Sequence, residues 1–326
     1  MKLQILVPQY KETDEVVKPL LDSIEIQQSV DLKNEVGVII CNDGSDVFLS
    51  DELLSRYTFP VEYHKETHRG VSATRNACLD HATAEYVMWC DADDMFFNAC
   101  GLHIIFREFE MGGFDALFSA FIEESRDPVT KKPMYITHPQ DSTFVHGKFY
   151  RRKYLIKEKI RWNDSLTIHE DSYFNFLAQH CATELKFSPS PFYLWRWRDE
   201  SVCRHDPKYI LKTYNNMLDS NTALVNELKR RRKTDDAKFC ATTMIYDAYF
   251  TMNKDEWINQ ENAEYRAATE KRFKQYFVDF KDLFDSIDTT AKQQIIVGVK
   301  NRMFTEGLFM ETITFDDWIS WVMKKY

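Results

Sequence analysis

Three carboxylates fall within four positions in Asp91-Ala92-Asp93-Asp94, directly behind the apolar run Tyr86-Val87-Met88-Trp89-Cys90. The run is long enough for one buried strand, but the acids cannot follow it inward, because burying an unpaired carboxylate is too costly. They belong where the strand leaves its sheet. Like charges so closely spaced repel unless neutralised, and hard divalent cations such as Mg²⁺ or Mn²⁺ prefer oxygen ligands of this kind. An acidic turn in which Asp93 or Asp94 caps the next helix is the plainer alternative for so short a pattern. A second acidic knot, Thr167-Ile168-His169-Glu170-Asp171, opens a helix expected at Ser172–Gln179. Carboxylates in a first helical turn also serve simply as partners of the helix dipole.

The elements that must position these groups alternate along the chain. Leu3 to Val7 reads as a buried strand ended by Pro8, with Tyr10 and Lys11 at its carboxyl end. Thr13-Asp14-Glu15 is a helix start, and Val17, Leu20, Leu21 and Ile24 keep helical spacing. Pro19 implies that this helix starts late or kinks. Val36 to Cys41 is a second strand, turned by Asn42-Asp43-Gly44-Ser45, and Val61 to His64 a third. Arg69-Gly70-Val71-Ser72-Ala73-Thr74-Arg75-Asn76 reads as a loop entering a helix, with Ser72 as its cap. Leu102, Ile105, Phe106 and Phe109 mark another helix face, while Ala116–Phe121, Phe144–Tyr150 and Phe192–Trp197 read as strands and Asp127–Pro133 as a turn or exposed loop.

Such alternation predicts a parallel-rich sheet covered on both sides, with ligands beyond the carboxyl ends of its strands. That rule gathers Pro8–Tyr10, Asp43 and Asp91–Asp94 along one edge, as a ligand site. Beyond Pro207 the beta character disappears. Tyr209–Leu228, Ala237–Asn253, Glu256–Phe284, Thr289–Phe309 and Phe315–Lys324 read as amphipathic helices, so we expect an α/β domain over 1–205 and an all-helical region over 206–326. The basic run Lys229–Lys233 is either a solvated helix end on the negative dipole terminus or a contact for an anionic partner.

Bulk properties narrow the class. A chain of 326 residues with 44% hydrophobic residues has ample core, and a formal net charge of −9 argues against general nucleic-acid binding. The seven cysteines lack metal-ligand or disulfide spacing, which favours reduced thiols in a cytoplasmic protein. No window has the apolar length of a membrane span.

Taken in order, the motifs resemble those of the family 2 glycosyltransferases, which have the GT-A fold. Val7-Pro8-Gln9-Tyr10 resembles the first-strand end, Asn42-Asp43-Gly44-Ser45 the second-strand turn, Arg69–Asn76 the Gly-Xaa-Ser-Xaa-Ala-Arg-Asn segment, Asp91-Ala92-Asp93-Asp94 the metal motif and His169-Glu170-Asp171 the later catalytic element. The resemblance spans residues 1–205; Thr74 stands where alanine is usual, and Gln9 precedes Tyr10. It implies a Rossmann-like nucleotide-sugar-binding core with a mixed, mainly parallel sheet. It also implies an inverting, metal-dependent transferase using a UDP-sugar with Mn²⁺ or Mg²⁺. Pro8, Tyr10 and Asp43 would then meet uracil and ribose, and Arg75, with Arg69 nearby, the nucleotide. Asp91 would meet ribose or sugar and Asp93 the metal on the diphosphate. Asp171 would be the general base and Glu170 an acceptor-binding or orienting group. Arg196, Arg198 and Arg204 are candidates for diphosphate contacts, Trp195 and Trp197 for sugar stacking or core packing, and His146-Gly147-Lys148 for the border of the acceptor cleft. His205 is either a further metal ligand, with Asp91 and Asp93, or an exposed loop residue.

Two other readings compete. Sugar-nucleotide nucleotidyltransferases begin with a glycine-rich phosphate loop that Val7–Lys11 lacks. A non-catalytic carbohydrate-binding scaffold would be signalled by loss of Asp93 or Asp171, and both are present. The acceptor is open among a glycan, a polyol-phosphate polymer, a protein and a modified nucleic acid. The helical region is open among acceptor binding, homo-oligomer formation and partner docking.

Overall fold

The computed structural model describes residues 1–127, 129–199, 209–259, 262–305 and 314–325. The chain divides into two compact units, Met1–His205 and Asp206–Tyr326.

The first unit is built on one nine-stranded sheet. Its strands are β1 (Leu3–Gln9), β2 (Val36–Asp43), β3 (Val61–Glu66), β4 (Tyr86–Trp89), β5 (Met95–Phe96), β6 (Ala116–Arg126), β7 (Pro133–His138), β8 (Lys148–Arg151) and β9 (Leu185–Trp195). Their order is β3-β2-β1-β4-β8-β6-β9-β5, with β7 paired to β6. β1 is parallel to β2 and β4, and β2 to β3. β8 runs antiparallel to both β4 and β6, which restores the direction of β6 and of its parallel partner β9. The sheet is therefore mixed but mainly parallel. The central strands β1, β2 and β4 are almost continuously apolar and buried, as strands covered on both faces must be.

β1 and β4 are neighbours although β2 and β3 intervene in sequence. Chain order reverses there, and such a reversal opens a crevice at the carboxyl ends of the strands.

Several boundaries differ from those read off the sequence, each for a local reason. β1 continues through Pro8 to Gln9. Leu6 turns its carbonyl toward β4, accepting from Cys90 N, so Pro8, two residues on, turns the same way past the last β4 pair, Leu6–Trp89. The missing N–H thus costs no ladder bond. The first helix runs Asp14–Glu25 straight through Pro19, held by fully buried Val17, Leu20, Leu21 and Ile24. Strand β8 begins only at Lys148, because side chains satisfy the preceding backbone: Asp141 accepts from the Thr143 and Phe144 N–H groups, and Asn175 donates to both carbonyls. β9 begins at Leu185, well before Phe192. The short β5 and the exposed hairpin strand β7 carry too weak a pattern to be read in advance.

In the second unit, helices Tyr214–Arg230, Thr234–Met252 and Ala263–Asp279 surround Tyr214, Val225, Ala241, Ile245, Phe250, Trp257, Phe273 and Trp318, all essentially buried. The stretch 256–284 is not one helix: Asn262 caps a new start by accepting from Tyr265 N, and Lys281–Asp285 forms a separate short helix. Four of the five residues of the basic run carry ion pairs. Arg230 and Arg231 pair with Glu227, Lys229 with Asp282 and Lys233 with Asp236. Among the described residues, no helix is long and apolar enough to cross a membrane.

Gly101, first residue of the helix Gly101–Met111, lies so close to β9 that an added Cβ would stand 2.5 Å from Phe192 Cβ. We expect Gly101→Ala to cost about 1–3 kcal/mol, as overpacking of a tight contact does. Urea unfolding followed by tryptophan fluorescence measures it, and an unchanged midpoint would show that the contact yields freely.

Candidate active site

The helix Val71–His81 packs on β1 and β2 and carries Arg75 inward until only 3% of it is exposed. A guanidinium so placed is tolerable only when paired. One terminal nitrogen of Arg75 donates to Glu170 Oε1 at 3.0 Å and Asp171 Oδ1 at 2.7 Å, and the other to Asp91 Oδ1 at 3.0 Å. The Trp162 ring covers the guanidinium at 4.4 Å. The two acidic knots, some eighty residues apart in sequence, thus meet through one cation.

Local backbone aims the second knot. His169 adopts a left-handed conformation, φ 63°, at the N-cap of the helix Glu170–Cys181. Such a turn is strained for a residue with a side chain and is concentrated at functional sites. The helix therefore starts two positions earlier than Ser172, and Glu170 and Asp171 lie in its first turn. The second oxygen of Asp171 accepts from Val145 N at 3.1 Å. Burial, reinforced by Glu170 and Asp91, outweighs the pull of Arg75 and pushes the Asp171 carboxyl up to about 7. Asp91 is also raised, by burial first and then by Asp93, against the opposing effect of Arg75.

Asp94 does not cap a helix. It is 1% exposed and accepts from the Tyr193 hydroxyl at 2.6 Å and from Arg196 N at 2.9 Å, joining the end of β4 to the end of β9. Burial and the adjacent Asp93 and Asp91 hold its carboxyl well above the usual range. Asp93 points elsewhere: its Oδ2 receives Arg198 at 3.0 Å, while Arg196 donates to its backbone carbonyl at 3.1 Å. The side chains of Asp91 and Asp93 stay about one third exposed. His146 approaches Asp94 at 3.7 Å, and the donor atoms of Asp91, Asp94 and His146 lie within 4.8 Å of one another. A set so rich in carboxylate oxygen, partly open to solvent, fits a hard divalent cation. Arg204 and His205 lie outside the described residues.

A second cluster lies at the ends of β1 and β2. Asp43 accepts from Arg69 N at 2.8 Å and Gly70 N at 3.0 Å, an approach that Gly70 permits by its φ of 93°. Gly70, not Ser72, is therefore the N-cap; the Ser72 hydroxyl donates instead to the Leu166 carbonyl. His68 contacts Asp43 at 3.0 Å and stacks on Tyr10, whose ring is 43% exposed. Pro8 is half-buried, and Arg69 is exposed. Trp195 leans on Phe144 and His146, and Lys148 is buried against Asp141.

Glu12 is a residue the sequence did not single out. It accepts from Tyr10 N at 2.5 Å, and its carboxyl is raised by burial and, more weakly, by Asp93. The β1 loop therefore reaches the acidic turn. Position at a strand's carboxyl end was the only available signal. Tyr193 and Trp162 gave none, since buried aromatics read as core.

Replacing Arg75 with Gln leaves three carboxylates facing one another. We expect a loss of about 3–5 kcal/mol, typical of breaking a buried ion pair from one side. Calorimetry at neutral pH tests this, and an unchanged melting temperature would show that Arg75 is not the group holding the acids together.

The family model described as "Glycosyl transferase family 2" matches residues 4–177. Among curated proteins, the uncharacterized glycosyltransferase EpsJ of Bacillus subtilis is 22% identical over 221 residues, covering 61% of this chain and 62% of that protein. Glycosyltransferase GlyA of Streptococcus pneumoniae is 25% identical over 228 residues, covering 62% of this chain and 32% of that protein. The chain thus spans less than two thirds of the curated relatives it matches. Among solved structures, S. aureus TarS 1–349 in complex with UDP-GlcNAc superposes with a TM-score of 0.61 at 17% identity, covering 95% of this chain and 93% of that one. The mannosyltransferase PcManGT of Pyrobaculum calidifontis, in complex with GDP-Man and Mn²⁺, gives 0.50 at 14% identity, covering 100% and 84%. These likenesses show the fold: a Rossmann-like GT-A core followed by a helical region. With more than half of its residues matched by the family model, the chain belongs to glycosyl transferase family 2.

Proposed function

We propose that this chain is an inverting glycosyltransferase that moves a sugar from a UDP-sugar to an acceptor hydroxyl. The observation that carries the reading is Asp171, poised near pH 7 and held by Arg75 and Val145 N beside Asp91. A base with that affinity for protons is about half free at neutral pH, and strong enough to accept a proton. The TarS complexes with UDP and with UDP-GlcNAc support a uridine donor.

In this reading Tyr10, Pro8 and Asp43 receive uracil and ribose. Arg75 orients Asp91 toward the ribose or sugar, and Arg69 and Arg196 would contact the nucleotide and its diphosphate. Asp91, with Asp93 and His205 as the resemblance implies or with Asp94 and His146 as the donor distances allow, would hold a divalent cation that neutralises charge growing on the leaving diphosphate. Asp171 takes the acceptor's hydroxyl proton as the oxygen attacks the anomeric carbon, and the bond to the diphosphate breaks on the opposite face. One displacement inverts the configuration and releases UDP. Each Asp171 oxygen already accepts one hydrogen bond and keeps a second lone pair for this task. Glu170, on the same Arg75 nitrogen, orients the base or the acceptor. The helical unit serves acceptor binding, self-association or partner docking, with a glycan, a polyol-phosphate polymer or a protein as acceptor. The free thiols at Cys41, Cys78, Cys90, Cys100, Cys181 and Cys240 suit a cytoplasmic setting.

The first test is thermal stabilisation by UDP-GlcNAc, UDP and GDP-mannose, with and without Mn²⁺. Metal-dependent stabilisation by the uridine ligands is expected, and a response to GDP-mannose alone would overturn the donor assignment. Asp93→Ala should lose the metal-dependent part. Asp171→Asn should lower turnover by about 10²- to 10⁴-fold, the usual weight of a general base, with UDP-sugar affinity within about twofold of the wild type. Because the Asp171 carboxyl is raised, protonation silences it from the acid side: kcat/KM should fall tenfold per pH unit below about 7 and level off above it. A flat profile between pH 5 and 8 would remove Asp171 as the base.

A further inference from the structure

A second group of metal-ligating side chains lies away from the acidic site, between the sheet edge and the helix Val71–His81. β2 and β3 pair in parallel with Cys41 opposite His64 and Asp43 opposite Glu66, and side chains alternate along a strand, so Cys41, His64 and Glu66 share one face. The helix lies over that face. Cys78 and His81, three residues apart on the helix, look down on it together. The Cys78 thiol donates to the Val7 carbonyl at 3.7 Å, burial and the neighbouring Cys41 raise it well above the usual thiol range, and the His81 ring stacks on His64 at 3.7 Å and 7°. His81 Nε2 stands 3.4 Å from Glu66 Oε1. One donor atom each from Cys41, Glu66 and His81 lies within 4.8 Å of the other two.

We propose that Cys41, Glu66 and His81 form a binding site for a thiophilic divalent cation, Zn²⁺ by preference, with Cys78 within reach as a fourth ligand. The donor chemistry separates it from the acidic site. Thiolate and imidazole select Zn²⁺, whereas carboxylates alone select Mg²⁺, Ca²⁺ or Mn²⁺. Access is available, because Glu66 and His81 also line a cavity of about 620 Å³ whose wall includes Arg69, Asp80 and Arg161. Binding releases the Cys41 thiol proton to solvent, so affinity rises with pH. The cation would clamp β2, β3 and the end of the helix, the elements that present Asp43 and Arg75. It therefore ties the geometry of the nucleotide edge to metal supply without touching substrate.

The experiment uses Co²⁺ as a spectroscopic stand-in for Zn²⁺, titrated into the reduced full chain without nucleotide. We expect a thiolate-to-cobalt charge-transfer band in the near ultraviolet that saturates at one equivalent and is bleached by Zn²⁺. Carboxylate sites give no such band, so Asp93→Ala should leave it intact. Cys41→Ser should abolish it. His81→Gln, at a half-exposed position that tolerates change, should weaken Co²⁺ binding by more than about tenfold. Absence of the band in the wild type, or its persistence in Cys41→Ser, would overturn the proposal. So would unchanged affinity in His81→Gln, which remains informative if Cys41→Ser fails to fold.

Discussion

A guanidinium held in a protein interior and three carboxylates turned toward one another are each unfavourable alone. Arg75 resolves both problems with one arrangement, since its planar fork reaches Asp91, Glu170 and Asp171 together. The cost of either charge makes the site an all-or-nothing structure. β4, the helix Val71–His81 and the helix Glu170–Cys181 must all be in register for any of the four groups to be tolerated. The surplus of negative charge then falls on Asp171, which sits deep enough among acids to hold a proton up to about pH 7. Stability and proton affinity thus come from the same contacts, and a single cation sets both.

Sheet topology supplies the rest. Because β1 and β4 are neighbours across a reversal of chain order, the turn carrying Asp91–Asp94 opens beside the end of β1 with Tyr10 and Glu12. Asp94 fastens that turn from behind through Tyr193 and Arg196 N. Its buried carboxyl leaves Asp93 free to face outward with Arg198. Three adjacent acids therefore do three different jobs: Asp91 binds the central arginine, Asp93 faces solvent and the cationic strap after β9, and Asp94 braces the turn.

The helix Val71–His81 is the element on which most of these contacts converge. Its N-terminus is fixed by Asp43, its middle carries Arg75, and its C-terminal turn presents Cys78 and His81 to β2 and β3. Small residues make this closeness feasible, since Ala73, Ala77 and Cys78 let the helix settle on the sheet.

Much of this was legible in the chain itself. Buried strands ending in polar turns at Asp43 and Asp91, a loop entering a helix with an internal arginine, and a switch to all-helical periodicity near residue 206 all follow from local pattern, although the cap read as Ser72 is Gly70. Period and polarity are local properties, and they determine which residues lie at strand ends. Sequence could not show that Arg75 joins both acidic knots, that Asp94 is buried against Tyr193, that His169 turns left-handed, or that Cys41, Glu66 and His81 meet. Those facts depend on which strands become neighbours and on burial, which shifts a carboxyl toward pH 7. Charges interact through space and feel the solvent removed around them, so their partners and proton affinities are decided only by the tertiary structure.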